Sequence, residues 1–135
     1  MAMPGYFSIH KTVQTRPPSL PYAALKNKVL GMDHGLSLVF VGDVRSRSLN
    51  RTYRGKDKPA NVLAFPIEAG EGEIFLNLHQ ARKDASRFGL SYTHLTAKLF
   101  VHAMLHLKGY RHGGTMEHTE QAVLNTLPSR RKSLR

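Results

Sequence analysis

The stretch from Ser91 to Leu107 constrains this chain more than any other segment. Its apolar residues Leu95, Leu99, Val101, Leu105 and Leu107 are spaced for a helix but cover more than one face of it. A surface helix needs only one apolar stripe, so a helix that is apolar on several sides has to be enclosed by the rest of the protein. A chain of 135 residues is long enough to do this as one domain around one core. The flanking segments supply the enclosure. Phe7 to Val13 alternates its faces as a strand does, Leu20 to Leu30 is helically spaced and stopped by Gly31, and Gly35 to Val41 (GLSLVFV) is rich in β-branched and aromatic residues. A helix beginning after Asp43, read as its N-cap, follows. Asn61 to Phe65, closed by Pro66, and Glu73 to Asn77 are strands whose connection, Glu68 to Gly72, suits an antiparallel pair. Leu78 to Phe88 is a helix ended by Gly89, and Met116 to Leu127 is a last amphipathic segment. The order β-α-β-α-β-β-α-α-α predicts an α+β fold: one domain over residues 1–127, with one mixed sheet of about four strands packed against about five helices.

The charge is distributed unevenly. Twenty Lys and Arg face nine Asp and Glu, a formal net charge of +11. The end of the chain, 128–135, carries four cations and no acid behind a helix-breaking Pro128, and reads as a flexible basic tail. Without it the balance is still +7. Between Arg45 and Lys58 six cations, Arg45, Arg47, Arg51, Arg54, Lys56 and Lys58, have only Asp57 as a counter-charge, and helical spacing puts Arg47, Arg51 and Arg54 on one face. A charge run is most often a solvated face, but six mutually repelling cations are better matched by a polyanion, so RNA or DNA is the partner the charge suggests. At 41% apolar residues the chain is too hydrophobic for a disordered polycation. Uninterrupted apolar runs such as Leu38 to Val41 are far short of the roughly 20 residues of a membrane-spanning helix, so a soluble, cytoplasmic protein is expected. The basic start of the chain is acid-poor as transit peptides are, yet its strand pattern argues against that role.

There is no cysteine, which excludes disulfide partners and thiolate chemistry and leaves histidine, carboxylate and backbone oxygen to hold any metal. Among eight histidines, His102 and His106 lie four apart on the enclosed helix, roughly 40° apart around its axis, so both imidazoles can reach one ion. Gly109 permits the left-handed turn that would bring His112 back to the pair. Three imidazoles leave a fourth tetrahedral position open, the pattern of catalytic rather than structural zinc. A lone histidine is more often a satisfied core or surface residue; three at this spacing favour a metal. His94 is expected to cap the helix or to support the ligands from behind, and His10, His34, His79 and His118 to lie on the surface. The same spacing occurs in metzincin peptidases, His-Glu-X-X-His-X-X-Gly-X-X-His, but their general-base Glu is Ala103 here, which disfavours a peptidase.

Two blocks carry a resemblance. HAMLHLKGYRH, His102 to His112, resembles the His-Gly-X-X-His-X-X-Gly-Tyr-Asp-His motif of the YbeY-like family of metal-dependent endoribonucleases and rRNA maturation factors. LNRTYRGKDKPANVLAFP, Leu49 to Pro66, is similar to that family's Leu-Asn-X-X-Tyr-Arg-X-X-Asp-X-Pro-Thr-Asp-Val-Leu-Ser-Phe-Pro block, and Gly72 to Ile74 to its Gly-Asp-Ile. The resemblance implies one zinc ion, or another imidazole-liking divalent metal, on His102, His106 and His112. It further implies that Arg54 lies near the scissile phosphate and that the chain cuts single-stranded RNA in rRNA maturation or ribosome quality control. Arg47, Arg51, Lys56 and Lys58 would line the approach of the RNA, while a guanidinium at position 54 can hold two phosphate oxygens. Water acidified by the ion and a substrate 2′-hydroxyl both remain open as nucleophile.

Several positions depart from the motif. Ala103 stands for Gly, Ala60 and Asn61 for Thr-Asp, Ala64 for Ser, and Arg111 for the Asp before the third histidine. Ala60 and Ala64 are expected to remove two hydroxyls from the cleft-side strand, and Arg111 to weaken an ion beside it unless it turns to solvent or to phosphate. These departures, with the +11 charge, support a second expectation: a non-catalytic, basic RNA-binding or ribosome-assembly factor.

Overall fold

The computed structural model describes residues 5–128, so the expected tail from residue 129 onward lies outside the described residues. The elements run β1 (Phe7–Lys11), α1 (Tyr22–Leu30), β2 (Gly35–Val41), α2 (Asp43–Arg54), β3 (Val62–Glu68), β4 (Glu71–Asn77), α3 (Leu78–Phe88), α4 (Tyr92–Leu107) and α5 (Gly114–Leu124). The sheet has the order β1-β2-β4-β3; β1 and β4 are parallel to β2, and β3 is antiparallel to β4. This is the mixed four-stranded sheet with five helices that the sequence predicts.

Period-two alternation divides the sheet between two cores. Leu36, Leu38 and Phe40 of β2 and Ile74 and Leu76 of β4 face the main core with α1, α3, α4 and α5. Val39, Val41, Leu63, Phe65 and Phe75 face the other way, where Leu49 of α2 closes a smaller cluster. Helix α4 packs against α1, α3, α5, β3 and β4, and nine of its residues are buried, as its all-round apolar surface requires. Ser91 caps its start by accepting a hydrogen bond from the His94 backbone N–H at 3.0 Å. The side chain of His94 is exposed. Its expected capping or supporting role is therefore corrected, since Ser91 makes the cap.

Two boundary expectations also change. Helix α2 is capped by Gly42, and Asp43 is its first residue; the Asp43 carboxylate instead accepts from Asn77 Nδ2 at 2.9 Å and contacts His79 Nδ1 at 2.7 Å. Those bonds hold the Asp43 carboxyl below its ordinary value, the Asn77 bond most of all. Strand β3 continues through Pro66, which pairs with Gly72, because β3 is an edge strand where a missing N–H leaves no neighbour unsatisfied. Gly72 lets β4 and the end of α4 meet closely: a Cβ there would lie 2.7 Å from Leu107 Cδ1, so the Leu107 side chain would have to move.

The candidate metal centre and its cleft

The loop that leads from α2 to β3 is fastened before it reaches the site. Ser46, buried in α2, donates to the Ala60 carbonyl at 2.8 Å and accepts the Ala60 N–H at 2.9 Å, while Asn50 Nδ2 donates to the Lys58 carbonyl at 2.8 Å. Arg54 is the last residue of α2, followed by Gly55 at φ +70°, whose N–H donates to the Arg51 carbonyl at 3.1 Å, while the Lys56 N–H donates to the Asn50 carbonyl at 3.3 Å. Arg54 is thus held on a rigid helix end at the mouth of a cleft of about 580 Å³.

The far wall of that cleft is α4. His102 and His106 project into it from successive turns, and the chain reverses after α4 through Gly109 (φ +105°), with the Tyr110 N–H bonded to the Leu105 carbonyl at 3.0 Å. The reversal brings His112 to both partners: ring centroids are 4.7 Å apart for His102 and His106, 5.2 Å for His102 and His112, and 4.7 Å for His106 and His112. One ligating nitrogen from each ring lies within 4.8 Å of the others, so the three can hold a metal ion. Burial, together with the neighbouring His102 and His112, holds the His106 pKa below its ordinary value, which favours the neutral ring a metal needs.

The support for the cluster comes from a residue that the sequence did not single out. Glu120 of α5, 5% exposed, places Oε1 2.9 Å from His102 Nδ1 and Oε2 3.0 Å from Lys98 Nζ. A carboxylate at that nitrogen fixes the proton on Nδ1 and leaves Nε2 with a free lone pair. The only sequence signal would have been an acid at a buried position of an amphipathic helix.

The remaining expected RNA-binding residues stand apart from the centre. Arg47 Nε lies 2.8 Å and Arg51 Nη1 3.3 Å from Asp57 Oδ1 on the exposed side of α2, and Lys56 and Lys58 are exposed on the loop beyond. Hydrogen bonding from Arg47 brings the Asp57 carboxyl down to about 2. Arg54 alone of the basic segment borders the cleft with the histidines. Of the two expected hydroxyl losses, only Ala64 borders the cleft; Ala60 lies in the smaller cluster on the opposite face of the sheet, a correction that follows from its pairing with Ser46. Arg111 is exposed, so its charge reaches solvent. His10, His79 and His118 are exposed as expected, and His34 is half-buried with its ring nitrogen 2.9 Å from the Gly35 carbonyl.

A family model described as Endoribonuclease YbeY matches residues 9–128, a span that holds both the histidine cluster and Arg54. The chain belongs to the YbeY endoribonuclease family. Among curated relatives it is 37% identical over 119 residues to an endoribonuclease YbeY of Pelotomaculum thermopropionicum, covering 76% of this chain and 78% of that one. It is 31% identical over 137 residues to that of Desulforamulus reducens, covering 89% and 90%. The solution structure of the Thermotoga maritima protein TM1509 shares the fold of this YbeY family member, with a TM-score of 0.62 at 19% identity over 88% of this chain and 87% of that one. Among the described residues no helix is long and apolar enough to cross a membrane.

Proposed function

We propose that the chain is a zinc-dependent endoribonuclease that cleaves single-stranded RNA in rRNA maturation or ribosome quality control in the cytoplasm. The observation that carries this reading is the convergence of His102, His106, His112 and Arg54 on one cleft, in a family whose curated members are named endoribonucleases.

The donor set fits a borderline-soft divalent ion. Three imidazoles are at hand, one already oriented by a buried carboxylate, and no cysteine competes. Bound there, zinc supplies Lewis acidity toward phosphoryl oxygen and water. The residues of the chain do the rest. Arg54 offers a planar pair of donors to two phosphate oxygens and offsets charge that grows in phosphoryl transfer. Glu120 keeps the His102 proton on Nδ1, and Arg47, Arg51, Lys56 and Lys58 provide positive potential along the approach to Arg54. The nucleophile is either water or the substrate 2′-hydroxyl, and the products distinguish them: a 2′,3′-cyclic phosphate marks the hydroxyl. Cleavage of a single-stranded RNA by the purified protein tests the assignment, with Arg54→Ala and His102→Ala each expected to lower the rate at least about 100-fold. Unchanged cleavage by both variants would place the activity elsewhere.

The +11 charge favours one other reading, a non-catalytic RNA-binding factor. It expects salt-dependent RNA affinity that persists after chelation, with no cleavage. A peptidase lacks its base: Ala103 is buried at that position, and Glu120 is committed to His102 and Lys98.

A further inference from the structure

The cleft is longer than its chemistry. Besides Arg54 and the three histidines, the cleft is lined by Val62, Leu90, Leu95 and Leu99, with Phe88 and Asn61; on α4 the rise per residue sets Leu95 about 10 Å along the axis from His102, so the apolar lining extends away from the ligands. A phosphate has no use for such a wall, and a core has no use for Phe88, whose side chain is 60% exposed at the end of α3. We propose that this apolar end is a pocket for one unpaired nucleobase, with Phe88 as its stacking platform. The inference rests on the ribonuclease reading above and adds to it the part of the substrate that flanks the cut phosphate.

Three observations select a nucleobase as occupant. The pocket is continuous with the histidine and arginine end, so a strand whose phosphate meets Arg54 has its next base within the same cleft. One face of the platform already carries a cation: the Arg87 guanidinium, paired with Asp84 at 3.4 Å, lies over the Phe88 ring 5.1 Å from its centre, so a base would stack on the other face with that charge close to the strand. Asn61 is pinned by its Nδ2 bond to the buried Asp84 at 3.0 Å, and Asp84 is itself held by Gln80 at 3.0 Å. That bond fixes the orientation of the side-chain amide, leaving Asn61 Oδ1 as an acceptor for a base edge. A flat apolar surface with a fixed acceptor and a nearby cation matches a base on a polyanionic strand. A paired base is held in its stack, with both faces covered, and cannot enter.

Two hexameric strands of equal charge test this by fluorescence anisotropy: oligoadenylate and an abasic ribose-phosphate strand. The wild type is expected to bind the base-bearing strand about tenfold more tightly. Phe88→Ala should lose most of that preference while keeping its affinity for the abasic strand, and Phe88→Trp should retain the preference. Because Phe88 is exposed, its replacement leaves the core intact. A wild type without preference, a Phe88→Ala variant that keeps it, or one that weakens both strands equally would overturn the pocket. Cleavage measured on the same preparations separates the two claims. Cleavage without a base preference overturns the pocket and leaves the ribonuclease reading standing; a Phe88-dependent preference without cleavage supports the pocket and overturns that reading.

Discussion

Replacing Glu120 is expected to weaken metal binding without unfolding the protein. Its carboxylate makes one charge-assisted bond to His102 Nδ1 at 2.9 Å and one ion pair to Lys98 at 3.0 Å from a position only 5% exposed. A hydrogen bond involving a charged group contributes about 1.5–3 kcal/mol. That corresponds to roughly 10–100-fold in affinity, the range in which loss of a carboxylate behind a metal-binding histidine falls. Glu120→Ala removes the acceptor and frees the His102 ring to rotate and to exchange tautomers, so the zinc dissociation constant should rise by about that factor. Glu120→Gln keeps the volume but one amide oxygen cannot serve both His102 and Lys98, so a smaller loss, about tenfold or less, is expected. Lys98 is half-exposed and recovers water when its partner is removed, so the unfolding free energy of the metal-free protein should fall mainly by the value of the His102 bond, about 1.5–3 kcal/mol. Competition with a chromophoric chelator gives the metal affinity, and urea unfolding of the metal-free protein gives the stability. A Glu120→Ala protein that binds zinc as tightly as the wild type would refute the orienting role.

Asp57, brought down to about 2 by Arg47, contributes stability that is fully present above its unfolded value of 3.8 and is lost as pH falls through about 2; a carboxyl NMR titration with its midpoint near 3.8 would show that the pair does not form in solution. Ser46→Ala should cost about 1–3 kcal/mol, since it orphans both the N–H and the carbonyl of Ala60; a urea midpoint unchanged from wild type would contradict the fastening of that loop. Gly72→Val forces Leu107 away from β4 and should cost about 1–3 kcal/mol in the same measurement, with no loss expected if the two elements are not in contact.

Local chemistry made much of this fold legible. The β-branched run of β2 and the glycine-stopped helix α3 have the bounds expected from the sequence, and the all-round apolar α4 is central, as burial demands. Pro66 was misleading because its effect depends on whether β3 lies at an edge or inside the sheet, and strand order is set by tertiary packing. Asp43 has a capping residue's chemistry, yet a partner 34 residues away in sequence, Asn77, takes its carboxylate. At the site, the two histidines one helical turn apart and the glycine after them announced the cluster. Glu120 did not, because an acid on an amphipathic helix ordinarily faces water and only the packing of α5 on α4 turns it inward. Helical spacing puts Arg47, Arg51 and Arg54 on one face, but it does not show that Asp57 takes Arg47 and Arg51 while Arg54 alone borders the cleft.

The three-histidine centre is tested most directly by elemental analysis of protein prepared without a histidine tag, wild type beside His112→Ala. His112 lies outside α4 on an exposed turn, so its replacement removes a ligand without opening the core. About one zinc per chain in the wild type, lost in the variant, is the expected result. No stoichiometric metal in the wild type after zinc is added back, or equal metal in both proteins, would contradict a metal centre built on His102, His106 and His112.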